Sequence, residues 1–131
     1  MEAAPIPDSR PVRVLIADDH HLFAEALEAI LSTDPRIEIV GHARDGRQAI
    51  EQARGLEPDV ILMDISMPVM DGFEATRRIR EERLGAAVLV LTGSNARLDV
   101  DRAREAGAAA YVTKDRIAAE LVEAIVQVGG R

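Results

Sequence analysis

The chain has 131 residues, 47% of them hydrophobic, with a formal charge of −7 and no cysteine. That is about the length of one domain, and its acidity excludes the basic footprint of a nucleic-acid binder while fitting a protein that collects divalent cations or a basic partner. Without cysteine there are no disulfides, thiolate metal sites or thiol nucleophiles. No apolar run reaches the roughly 18 residues needed to cross a bilayer, so no membrane partner and a cytoplasmic location are expected.

The first segment, "MEAAPIPDSRP" (1–11), has three prolines and two acids. It lacks the charged-then-apolar order of a signal peptide and is expected to be a disordered tail. Strand and helix patterns then alternate from Val12 to Val128. "VRVLIA" (12–17) is a β-branched run and predicts a strand. The helix pattern "HLFAEALEAILS" follows, with Leu22, Phe23, Ala26, Leu27, Ile30 and Leu31 at helical spacing. "IEIVGHA" predicts a second strand, and Glu38 between two isoleucines marks it as an edge with one face in water. Asp45 is placed to cap the helix "GRQAIEQAR", and Gly55 to end it.

"DVILMD" is wholly apolar between its two aspartates and predicts the central strand; a turn, "SMPVMDG", leads to the helix "FEATRRIREER". The fourth strand is "AVLVLT" and the fourth helix "ARLDVDRAREAG", stopped by Gly107. "AAAYVT" predicts a short fifth strand. The last helix, "RIAAELVEAIVQV", sets Ile117, Leu121, Ile125 and Val128 on one face, and residues 129–131 read as a tail or the start of a linker. Five β–α units without an internal boundary imply one doubly wound α/β domain over 12–128, with a parallel sheet between two helical layers.

Ligands of such folds sit outside the carboxyl ends of the strands, and the polar residues gather there. Strand one ends in Asp18 and Asp19, strand three in Asp64, strand four in Thr92, and Lys114 follows strand five. Each has an ordinary explanation alone: acids after strands form turns or helix caps, and a lone threonine or lysine is common at a surface. The fold brings all of them to one place. Carboxylates that crowd together repel unless a cation intervenes, and hard oxygen donors with neither cysteine nor a histidine grouping point to Mg²⁺. Lys114 suits a phosphate oxygen or a carboxylate, and Thr92 offers a hydroxyl. These are the parts for phosphoryl transfer to a nucleophilic Asp64. His20 and His21 read as surface residues opening the first helix, and Met63, Met67 and Met70 as core and turn packing. "GHARDGRQ" (41–48) falls short of a phosphate-binding loop, because Arg47 and Gln48 stand where Lys and Ser/Thr belong.

In this order and spacing, "DD", "MDISMPVMDG", "LTGS" and "AAAYVTKD" resemble the receiver domain of two-component response regulators. The "ADDH" opening and the Lys114–Asp115 pair resemble the subgroup with helix-turn-helix (LuxR/NarL-type) outputs. The resemblance implies a flavodoxin-like (βα)₅ fold with strand order 2-1-3-4-5. It makes Asp64 the phosphoacceptor, and Asp18, Asp19, Asp64 and the Ser66 backbone carbonyl the Mg²⁺ ligands. Lys114 becomes the phosphate-contacting cation, Thr92 and Tyr111 the switch pair, and Gly93 the gap that admits the donor. Ser66 and Ser94 fall where side chains tune dephosphorylation, and Met67–Pro68 and Asp71–Gly72 form the turn after the phosphoacceptor. Implied partners are a sensor histidine kinase, a second copy on phosphorylation, and DNA only through an output domain outside this chain. The implied domain modifies itself and is not a turnover enzyme. Asp115 departs from the proline that follows the lysine in many receivers.

Two rivals differ in class. An aspartate-nucleophile phosphatase needs a second acid two residues after the nucleophile, and Ser66 stands there. A receiver-like binding module that works without phosphorylation usually lacks an acid, the lysine or the threonine, all of which are present.

Overall fold

A computed structural model describes residues 10–93 and 97–129. Most of the proline-rich segment (1–9) and Ser94 therefore lie outside the described residues. Five parallel strands, β1 (Val12–Ala17), β2 (Ile37–Ala43), β3 (Val60–Asp64), β4 (Ala87–Thr92) and β5 (Ala110–Thr113), lie in the order β2-β1-β3-β4-β5. The expected flavodoxin-like topology is observed.

Alternation along the strands builds the two cores. Val12, Val14, Ile16, Val60, Leu62, Leu89 and Leu91 pack with residues of α1 (His21–Leu31) and α5 (Val122–Val128). Leu15, Ala17, Ile61, Met63, Val88 and Val90 face the other way, against α2 (Gly46–Leu56), α3 (Gly72–Glu81) and α4 (Arg97–Ala106). Every residue of β3 is buried. β2 keeps one side in water, with Glu38 exposed, as expected of an edge strand.

Two helices of the second layer, α2 and α3, start where the sequence supplies caps. Asp45 accepts the Gln48 backbone N–H at 2.8 Å, and Asp71 accepts that of Glu74 at 2.9 Å. Such caps contribute about 1 kcal/mol each.

Four expectations need correction. Leu22 and Ile30 do not join the core: Leu22 is 80% exposed, and α1 buries Ala24, Leu27 and Leu31 instead. A single layer of strands covers only one stripe of the helix, so the flanking stripe of Leu22, Ala26 and Ile30 faces water. Gly55 does not end α2, which runs to Leu56 before Glu57 turns left-handed at φ 51°. The last helix does not begin at Arg116; a 3₁₀ turn (Lys114–Arg116) and a π-helical turn (Ile117–Leu121) precede α5. Finally, α3 starts one residue early, at Gly72.

Candidate functional site

The parity of the sheet sets the site. Asp64 ends β3 on the side of Val60 and Leu62, toward α1 and α5, and Asp18 continues the parity of Val14 and Ile16. Both acids are buried, Asp64 to 2% exposure. Asp18 accepts the backbone N–H of His20 at 2.7 Å through Oδ1. The second oxygen of each acid, Asp18 Oδ2 and Asp64 Oδ2, is buried without a hydrogen-bond partner. Leaving a buried carboxylate oxygen unsatisfied is costly.

Lys114 supplies part of the compensation. Its ammonium lies 3.4 Å from Asp64 Oδ1 and 4.6 Å from the centroid of the Phe23 ring. The aromatic face attracts a cation, so α1 holds the lysine on one side and the phosphoacceptor candidate on the other. In the sequence Phe23 is one member of an apolar stripe at helical spacing. Its ring contact depends on where the fold sets α1 relative to the turn after β5, which spacing cannot reveal.

Burial, and after it the charge of Asp18, push the Asp64 carboxyl above its ordinary range. The ammonium of Lys114 and the Ser66 backbone N–H, which donates to the carboxylate, act in the opposite direction.

The turn after Asp64 is tightly built. A Cβ on Gly72 would run into the Asp64 carbonyl, so only glycine lets α3 start against the end of β3. The Gly72 N–H donates to Ile65 O at 3.2 Å. Val69 adopts φ 67° and is exposed, and the Met70 N–H closes a tight turn onto Pro68 O at 2.6 Å. A β-branched residue in this region is strained, and such strain concentrates beside functional sites.

Thr92 and Tyr111 face the other helical layer. Val90 pairs with Tyr111 and Thr92 with Thr113, so Thr92 and Tyr111 are diagonal neighbours on the α4 side of the sheet. Thr92 is buried, whereas Tyr111 is 43% exposed in a hollow shared with Val100, Ala103 and Arg104 of α4. A Cβ on Gly93, the residue after Thr92, would meet no described atom within 4 Å. Ser66 is exposed at the rim. No described peptide is cis, the Lys114–Asp115 bond included.

His20 and His21 are exposed at the start of α1, as expected, and His20 has a further setting. His20 belongs to the acidic pocket: among the described residues, Asp18, Asp19, His20 and Asp64 form a group whose ligand atoms lie within 4.8 Å of one another. The available signal was its position directly after the acid pair. This donor set, with two buried carboxylate oxygens lacking partners, fits a divalent cation.

A family model for the response regulator receiver domain matches residues 14–126. The chain is 37% identical over 120 residues to the nitrate/nitrite response regulator protein NarL of Escherichia coli K12, covering 92% of this chain and 56% of that protein. Identity is 43% over 117 residues with the transcriptional regulatory protein LiaR of Bacillus subtilis 168, covering 87% and 54%. The chain thus spans about half the length of the curated relatives it matches. Among solved structures, a LuxR-family two-component response regulator from Aurantimonas sp. SI85-9A1 superposes with a TM-score of 0.86 at 35% identity, covering 92% of this chain and 87% of that one. The response regulator domain of Thermotoga maritima CheB gives a TM-score of 0.86 at 32% identity, covering 93% and 98%.

Proposed function

The chain belongs to the response regulator receiver domains, with relatives of the NarL type, and on that premise we propose that it is a phosphorylation-controlled switch with Asp64 as phosphoacceptor. The observation that carries the proposal is the buried carboxylate at the end of the central strand. One of its oxygens faces Lys114 at 3.4 Å and the other has no partner.

In the proposed reaction an Asp64 oxygen attacks phosphorus in line, and the bond from phosphorus to the imidazole nitrogen of a kinase phosphohistidine breaks. The departing nitrogen takes up a proton as the aspartyl-phosphate forms. Lys114 contacts the transferred group and offsets its growing negative charge. Phe23 holds the ammonium in reach. Gly93 leaves the approach open. Asp18, Asp19, Asp64 and the Ser66 carbonyl would hold a divalent cation, Mg²⁺ in this family, which supplies charge neutralisation to the phosphoryl oxygens.

The new charge would draw the Thr92 hydroxyl toward Asp64. Tyr111, its diagonal neighbour, has room to follow beside α4, so the α4–β5–α5 surface changes and with it self-association or control of an output domain. A DNA-binding output, a sensor histidine kinase as donor, a cytoplasmic location and the extent of the domain (12–128) belong to this proposal.

Intact-mass spectrometry after incubation with acetyl phosphate tests it. We expect one phosphoryl adduct that requires Mg²⁺ and is absent in Asp64→Asn. If neither acetyl phosphate nor a phosphorylated kinase yields an adduct, the domain acts as a binding module and the proposal fails.

A further inference from the structure

His20 caps α1 by backbone alone: it is extended (φ −89°, ψ 99°), and its side chain makes no capping hydrogen bond. Its own N–H is tied to Asp18 Oδ1 at 2.7 Å, which fixes the backbone beside the acids. The imidazole, 69% exposed, sets Nδ1 3.3 Å from Asp19 Oδ1 and 3.5 Å from Asp18 Oδ1. Those distances exceed a well-formed N–H···O hydrogen bond. They match the separation of two donor atoms on one metal ion, since ligands about 2.1 Å from a metal and roughly 90–110° apart lie about 3.0–3.5 Å from each other.

The buried, unpartnered Oδ2 atoms of Asp18 and Asp64 are an independent sign that the pocket is built for a ligand. Lys114 lies against only Asp64 of the three acids. The remaining negative charge and the orphaned oxygens both call for a cation, and His20 adds a nitrogen donor to that set. Imidazole is a poor ligand for Mg²⁺ and a good one for borderline transition metals. The neighbouring histidines are occupied elsewhere: His21 faces Glu25 at 3.4 Å and His42 faces Glu28 at 2.6 Å.

We infer that His20 is a ligand of the cation site through Nδ1, and that it adds affinity for borderline divalent transition metals of the Mn²⁺ to Zn²⁺ class to a pocket that also takes Mg²⁺. The inference rests on the acidic pocket holding a divalent ion, as the proposed function requires, but not on phosphorylation.

The test uses the unphosphorylated chain. Mn²⁺-loaded protein is examined by pulsed electron paramagnetic resonance for coupling to a ligand ¹⁴N nucleus, and Zn²⁺ and Mg²⁺ affinities are measured by calorimetry. We expect nitrogen coupling in the wild type and in His21→Ala, and none in His20→Ala. His20→Ala should also weaken Zn²⁺ about tenfold or more, on the scale of losing one ordered partner at a metal site, with Mg²⁺ affinity nearly unchanged. Because the His20 side chain is exposed, the variant is expected to fold, which circular dichroism checks. A wild type without nitrogen coupling overturns the inference. So does coupling that survives His20→Ala, or an equal loss of both metals. A Mg²⁺-dependent adduct on Asp64 stands or falls separately, so failure of nitrogen ligation is not confused with failure of the switch.

Discussion

The carboxyl edge of the sheet and the outer faces of α2 and α3 handle charge in opposite ways. On the helices each highlighted charge has a partner in water: Arg54 with Glu82 at 2.7 Å, Arg77 with Glu74 at 2.6 Å, and Arg78 with the same glutamate at 2.9 Å. At the sheet edge Asp18 and Asp64 are buried together, and each keeps an oxygen without a partner. The shifts follow: Arg54 holds Glu82 below its ordinary range, while burial and Asp18 push Asp64 above its own. Exposed pairs of this kind contribute little to stability, whereas unsatisfied buried acids cost it. The edge is therefore held by backbone packing rather than by charge, and it carries the cost of two buried carboxylates that each keep an oxygen without a partner.

The sharpest way to break this contrast is Gly72→Ala. Its Cβ would press on the Asp64 carbonyl, which cannot swing away, and we expect a loss of about 3 kcal/mol, the upper range for overpacking. Denaturant unfolding measures it. A small effect would mean that backbone packing does not hold the edge.

Asp64→Asn should act in the opposite direction and more weakly, stabilising the chain by about 1–2 kcal/mol in metal-free buffer because a buried, poorly compensated charge disappears. The pH dependence gives the sign. With the native pKa above the ordinary aspartate value of 3.8, both states are protonated at low pH and nothing is lost. As pH rises past 3.8 the unfolded chain ionises first, and native stability falls until the native pKa is passed. Wild-type stability should carry this downward component and Asp64→Asn should lack it; identical pH profiles would contradict the assignment.

The smallest effect belongs to the helices. Arg54→Gln removes the exposed partner of Glu82, and thermal melting should move by about 1 °C or less. A drop of several degrees would show that the outer pairs are structural after all.

Much of this molecule was determined by its sequence alone. The β-branched runs, the 3.6-residue patterns and the capping aspartates are local signals, and they set all five strands and placed Asp18, Asp64, Thr92 and Lys114 at strand ends. Only the tertiary structure decided what depends on how layers meet. Periodicity gave α1 two apolar stripes, and the sheet had room for one, leaving Leu22 in water. The start of the last helix tightened to 3₁₀ and then widened to π after Lys114, a change no spacing announced. Phe23 meets Lys114 only because the fold brings α1 and the turn after β5 to the same end of the sheet, and His20 stands by the acids with its backbone N–H tied to Asp18. Chain-local forces fix which residues stand at the edge of the sheet, and packing between elements fixes which of their side chains meet.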